Sequence, residues 1–210
     1  MYRRHLRRRD RFLPFLVGLC VLTSCAKLKS CAYEGINRDS WQHPEKVIAS
    51  LGIPPGAVVA DLGSGGGYFT FRLAQTVGPK GKVYAVDVDE GLNRELSQRA
   101  QKEGFQNIEV ILASAEDPRL PESGVDLIFT SNTYHHLRER TQYFANLKKY
   151  LRPGARIAII DFNQEGWLQS LGHYTPGEVI KKELSAAGYR LEREFDFLPK
   201  QNFLIFALST

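Results

Sequence analysis

Val58-Val59-Ala60-Asp61-Leu62-Gly63-Ser64-Gly65-Gly66-Gly67-Tyr68 is the stretch on which the fold turns. A short apolar run ends in an acid and enters a glycine-rich loop, and Tyr68–Val77 beyond it carries Phe69, Leu73 and Val77 at helical spacing. That pattern reads as strand, tight turn, helix. Glycine lets the backbone turn sharply and lets a ligand come close where a Cβ would clash. A glycine loop alone says little, because tight strand-to-helix turns also use glycine for packing, but its details narrow the ligand. The spacing is Gly-x-Gly-x-Gly with Tyr68 in the sixth position, so the dinucleotide pattern is not met. No Lys-Ser/Thr follows the glycines, which excludes a phosphate-gripping loop. Asp61 would repel a pyrophosphate and welcome an ammonium. A second acid, Asp87, ends the next apolar run, Lys82–Asp87, where it can accept hydrogen bonds from both hydroxyls of a ribose. The site suits a ligand with an amino-acid end, a ribose and no phosphate.

Outward from this unit the chain alternates strand-like and helix-like segments. Pro44–Leu51 opens with proline in a first helical turn and stops at Gly52. Strands are expected at 57–61, 82–87, 108–112, 125–130 and 155–161, and helices at 68–77, 90–103, 138–151 and 176–187. Two closing β-rich runs, Tyr189–Phe197 and Phe203–Leu208, flank Pro199-Lys200, a hairpin signal. Nearly continuous apolar strands alternating with helices imply a parallel sheet covered on both faces. The expected fold is α/β: a Rossmann-like, doubly wound, mostly parallel seven-stranded sheet with a C-terminal antiparallel hairpin, over residues 41–210.

These motifs together resemble the cofactor-binding half of class I S-adenosylmethionine-dependent methyltransferases. The resemblance spans essentially all of 41–210. It is supported by Ala113–Asp117 with Leu120-Pro121, by Val125-Asp126, and by Leu151-Arg152-Pro153-Gly154 before the fifth strand. It implies that Asp61 and the backbone of Gly63, Ser64, Gly65 and Gly67 hold the methionine moiety. It further implies that Asp87 clamps the ribose, Val88 packs on the adenine, and Ala115 meets the adenine edge through its backbone. Asn132 joins the same cofactor set. Many family members carry Asp where Ser114 stands, so Glu116 or a water is expected to replace that contact.

The methyl acceptor should meet the loop after the fourth strand, Ser131-Asn132-Thr133-Tyr134-His135-His136-Leu137. In-line displacement at a sulfonium carbon chiefly needs alignment and exclusion of water, with a base only for a protonated acceptor. Tyr134, His135 and His136 are the catalytic candidates. On a helix adjacent histidines point about 100° apart, so one of the two is expected to face the pocket. The alternatives are a capping and an exposed histidine, and for Tyr134 simple packing. Asp161, Glu165 and His173 lie further on, but no ligand spacing supports a metal. The segment Asn37–His43 could fold over the cofactor as a lid, or Trp41 could anchor the first helix.

The net charge of +5 resides in the leader, because residues 1–11 hold six arginines against one aspartate and the rest of the chain is neutral. A non-specific phosphate-backbone binder needs clustered basic residues, so nucleic acid is disfavoured and a small-molecule acceptor expected. Beyond the arginines, Phe12–Leu22 is eleven residues of mostly apolar sequence, against the roughly 20 needed to span a bilayer. Residues 1–24 have the parts of a signal peptide. Leu22-Thr23-Ser24-Cys25 resembles a bacterial lipobox, which implies lipidation of Cys25, a linker over 25–40 and an exported, membrane-anchored lipoprotein. The alternative is a cytoplasmic protein with a mis-assigned start. Of three cysteines, only Cys31 would then remain, so no disulfide framework is expected. The two halves conflict, because the cofactor is made in the cytoplasm. A membrane-tethered ligand-binding protein without turnover is therefore the competing reading.

Overall fold

The structure is a computed structural model that describes residues 37–163 and 174–209. The leader, Cys25, Cys31, Glu165 and His173 lie outside the described residues. Among the described residues no helix is long and apolar enough to cross a membrane.

The chain runs α1 (Arg38–Gln42), α2 (Pro44–Leu51), β1 (Val58–Leu62), α3 (Thr70–Val77), β2 (Lys82–Asp87), α4 (Glu90–Glu103), β3 (Ile108–Leu112) and β4 (Val125–Ser131). A 3-10 turn (Tyr134–His136), α5 (Arg140–Leu147), β5 (Leu151–Phe162), α6 (Gly177–Ala186), β6 (Tyr189–Phe195) and β7 (Gln201–Leu208) complete it. The seven strands lie in the order β3-β2-β1-β4-β5-β7-β6. The first five are parallel, and β7 is antiparallel to both its neighbours. This is the doubly wound sheet with a closing hairpin expected from the alternation.

Strand side chains alternate between two cores. Ile157 and Ile159 of β5 pack with Phe144, Leu147, Ile180 and Leu184 from α5 and α6. Ala158 and Ile160 face the other layer with Val47, Leu51, Leu73 and Val77 from α2 and α3. Each such fully buried aliphatic side chain stabilises the fold by about 1.5–3 kcal/mol. The helix ends follow their local chemistry. The Asp89 carboxylate accepts from the Gly91 and Leu92 N–H groups and starts α4, and Gly104 in a left-handed conformation ends it.

Several boundaries shift by one or two residues, and three differences stand out. Helix α3 begins at Thr70 rather than Tyr68, because the residues before it complete the glycine turn. The helix expected to reach Leu151 ends at Leu147 in a 3-10 turn over Lys148–Tyr150, and β5 starts at Leu151. A register shift between β4 and β5 absorbs Arg152–Gly154, where Pro153 has no N–H to give a ladder. Helix α1 occupies residues read as linker, so the ordered body begins at least three residues before Trp41.

Candidate active site

The strand order reverses between β1 and β4, and in open α/β sheets ligands bind at the carboxyl ends of strands at that switch point. A cavity of about 820 Å³ opens there. Asp61, Gly63, Ser64 and Gly65 form its β1 wall, Asp87 and Val88 its β2 wall, and Ser114, Ala115 and Glu116 the wall beyond β3. Asn132 and His136 close it from the β4 side.

Asp61 is 3% exposed, and the Thr70 hydroxyl donates to its Oδ2 at 2.6 Å. Burial pushes its carboxyl up to about 6, the Thr70 hydrogen bond and the Arg38 charge pull it back, and Asp87 adds to the rise. A cation at this carboxylate would relieve the burial penalty. Asp87 is bound differently. Its Oδ2 accepts from the Gly65 N–H at 2.9 Å and its Oδ1 from the Asp89 N–H at 2.9 Å. The carboxylate thus ties the glycine loop to β2, and its remaining lone pairs can accept further donors.

Glycine is required in the loop at two places. Gly63 has φ +78°, and a Cβ there would lie 2.0 Å from Thr133 Oγ1, so the end of β1 touches the turn after β4. Gly67 has φ +91° and donates its N–H to Ser64 O at 2.9 Å. It closes the turn and does not itself reach the cavity wall. The Ser64 Oγ is buried without a hydrogen-bond partner among the described residues. Val88 is 61% exposed and stands on the cavity wall.

Ser114 does not aim its hydroxyl at a ligand. Its Oγ accepts from the Asp117 N–H at 3.1 Å within a local turn. Asp117 turns away to the Tyr150 hydroxyl and Lys149, which leaves Glu116 as the exposed acid on this wall. Asn132 adopts φ +57°, donates its N–H to Ile160 O and accepts from Gln201 Nε2 at 2.6 Å.

The three catalytic candidates part company. Tyr134 is fully buried, stacks near Phe144 and donates its hydroxyl to Glu183 Oε2 at 2.6 Å. It packs and does not line the cavity. His135 turns inward, with Nδ1 2.7 Å from Asp161 Oδ1 and the two side chains 5% and 0% exposed. His136 is exposed on the cavity wall, and its ring centroid is 4.1 Å from that of His135. Asp161 enters as the partner of His135. Among the described residues no group of three or more His, Cys, Asp and Glu could hold a metal ion.

Several wall residues carry no local motif. Arg38 and Tyr68 line the cavity beside the glycine loop, and Tyr143 and Asn146 of α5 line it as well. The segment 37–43 docks on the site, since Gln42 is buried and donates to Ser131 Oγ at 3.0 Å. Trp41 lies near Phe162, with ring centroids 6.0 Å apart. The aromatic and basic residues at 38 and 41 were the available signal, but nothing in their spacing points at a pocket.

Comparison with known proteins agrees with this geometry. A family profile described as a methyltransferase domain matches residues 53–192. A solved SAM-dependent methyltransferase from Aquifex aeolicus superposes with a TM-score of 0.79 at 30% identity, covering 88% of this chain and 97% of that one. An arsenite methyltransferase of Halobacterium salinarum is 31% identical over 116 residues, 55% of this chain and 30% of that protein. A ubiquinone/menaquinone biosynthesis C-methyltransferase of Hahella chejuensis is 27% identical over 118 residues, 56% of this chain and 47% of that protein. The chain thus spans only 30% and 47% of the length of these two curated relatives. With its glycine loop, its two strand-end acids and the matched fold, the chain belongs to the class I S-adenosylmethionine-dependent methyltransferases.

Proposed function

We propose that this chain transfers the methyl group of S-adenosyl-L-methionine to a small-molecule acceptor. The observation that carries the reading is the pair Asp61 and Asp87 at the ends of adjacent parallel strands, facing one cavity with the glycine loop between them. The residues fit the cofactor. Asp61, buried and raised to about 6, gains from the methionine ammonium, and Ser64 Oγ and the loop backbone give that end polar partners. Asp87 has lone pairs left for the ribose hydroxyls, and the exposed Val88 side chain offers an apolar face for the adenine. Ala115 would meet the adenine edge through its backbone, and Glu116 would take the place of Ser114, whose hydroxyl accepts within its own turn. Asn132, whose N–H is taken by Ile160 O and whose side chain accepts from Gln201, would line the cofactor site from the β4 side.

When bound, the cofactor supplies a methyl group on a positively charged sulfur, with a neutral thioether as leaving group. The chain's own residues then have to align the acceptor and keep water out. His136 meets the acceptor from the β4 side. The buried pair His135–Asp161 fixes the turn that carries it. Where the acceptor arrives protonated, His136 is the group placed to take the proton.

The test is label transfer. The full-length chain is incubated with methyl-labelled S-adenosylmethionine and fractionated small molecules of a cell extract. Label is expected in at least one fraction. Cofactor binding without transfer to any fraction would favour the ligand-binding alternative.

The leader supports an exported, lipid-anchored form of the enzyme, with residues 1–24 as signal peptide and Cys25 as the modified residue. Mass spectrometry of the mature N-terminus decides it. A lipidated Cys25 is expected, whereas a free N-terminus still carrying the arginines would place the enzyme in the cytoplasm.

A further inference from the structure

We propose that Arg38, on the short helix ahead of the family domain, is the carboxylate-binding residue of the cofactor site and makes the N-terminal segment part of it. This rests on the cofactor reading above. A methionine moiety brings two charges into the cavity, an ammonium and a carboxylate. Asp61 answers the first. A carboxylate entering beside a buried aspartate needs a cation close by, or like-charge repulsion opposes binding.

Arg38 stands at that place. Its guanidinium lies over the Tyr68 ring, 3.8 Å from the centroid, and 5.7 Å from the centroid of Phe69. Both rings follow the glycine loop directly. Its Nε–H donates to Gln42 Oε1, and Gln42 in turn holds Ser131 Oγ at the end of β4. Its charge is felt at Asp61, on the same wall of the cavity. A second arginine on the wall, Arg138, belongs to the segment after His136 and so serves the β4 side. Arg72 also stacks on Tyr68, at 4.5 Å, but it bonds Tyr68 O and pairs with Asp39 and Glu45 away from the wall.

Helix α1 is built to hold Arg38 there. Asp39 accepts from the Tyr68 hydroxyl and from Arg72, so the residue next to Arg38 is fastened to α3 from the outside. Planar guanidinium matches a carboxylate with parallel donors, and stacking on an aromatic ring orients that plane. Arg38 lies outside the residues matched by the family profile, 53–192. The cofactor site of this chain is therefore larger than its family domain.

The experiment is a ligand-truncation cycle read by calorimetry on the full-length chain, which needs no acceptor. S-adenosylhomocysteine and its decarboxylated analogue, S-adenosyl-3-thiopropylamine, differ only in the carboxylate. Each is titrated into wild type, Arg38→Ala and Arg38→Lys. Wild type is expected to prefer S-adenosylhomocysteine, and Arg38→Ala to lose roughly 10- to 100-fold for it, as for a charge-assisted hydrogen bond. The analogue's affinity should change less than about twofold, and Arg38→Lys should recover part of the loss. Equal weakening of both ligands would make Arg38 a packing residue and overturn the proposal, as would no change for either. Failure of wild type to bind S-adenosylhomocysteine at all would overturn the cofactor reading itself.

Discussion

The two sides of the cavity are built on different principles. On the β1–β2 side the ligand groups are backbone amides and two acids within one strand–loop–helix unit and the strand after it. On the β4–β5 side they are side chains held by long-range contacts: His135 by Asp161, Asn132 by Gln201, Ser131 by Gln42. The first side is fixed by local geometry, so it can serve one cofactor across many proteins. The second is fixed by partners scattered along the chain, so it can be rebuilt for a new acceptor without disturbing the first.

The contact between the sides is the place to break this contrast hardest. Gly63→Ala forces a left-handed backbone on alanine, about 1–2 kcal/mol, and drives a methyl into Thr133, about 1–3 kcal/mol more. Thermal denaturation should show a loss of roughly 10 °C for about 4 kcal/mol in a chain of this size. A Thr133→Gly second change should return part of it. An unchanged melting temperature would mean that the two sides do not touch.

Asp61→Asn tests the cofactor side alone. With its carboxyl raised from 3.8 to about 6, the fold holds the Asp61 proton more tightly than the unfolded chain does. The penalty is absent below pH 3.8, grows as pH rises toward 6 and is complete at pH 7, on the order of 3 kcal/mol. The ligand-free Asn variant should therefore melt higher than wild type at pH 7 and show no advantage at pH 4. For the same reason wild-type cofactor affinity should weaken as pH falls below about 6, because an ammonium favours the ionised acid. An affinity flat from pH 7.5 to 5 would detach Asp61 from the ammonium.

Asp87→Ala removes both the expected ribose contact and the acceptor for the Gly65 amide. Calorimetry should show S-adenosylmethionine binding weakened roughly 100-fold, about 2.7 kcal/mol. A change below fivefold would leave Asp87 only its part in the loop. The smallest effect is expected at Tyr134→Phe. Glu183 keeps Arg140 at 2.7 and 2.8 Å, so losing the hydroxyl should cost about 1 kcal/mol of stability and leave turnover intact. A large fall in turnover at unchanged stability would return Tyr134 to catalysis.

The same contrast explains what could be read beforehand. The glycine turn, Asp61, Asp87 and the strand–helix alternation show in the residues because each depends on neighbours a few positions away or on the regular spacing of one β-α-β unit. Adjacency of His135 and His136 suggested that one would face the pocket, but which one depends on Asp161, 26 residues later, at the end of another strand. Tyr134 was ambiguous for the same reason, since its partner Glu183 lies on α6. Ser114 looked like a shortened cofactor ligand, and only the turn geometry shows its hydroxyl committed to Asp117. The short helix holding Arg38 was invisible because five residues carry no periodicity.

The meeting of Gly63 with Thr133 also orders the mutational histories open to this chain. Any side chain at 63 lands on the oxygen, methyl and Cβ of Thr133 at once, at 2.0, 2.6 and 2.7 Å. A larger residue at 63 can be accepted only after 133 has become smaller, while the reverse order passes through a damaged intermediate. The glycine at the end of β1 is thus kept in place by a threonine in the turn after β4, and any replacement of Thr133 alters which residues position 63 can tolerate.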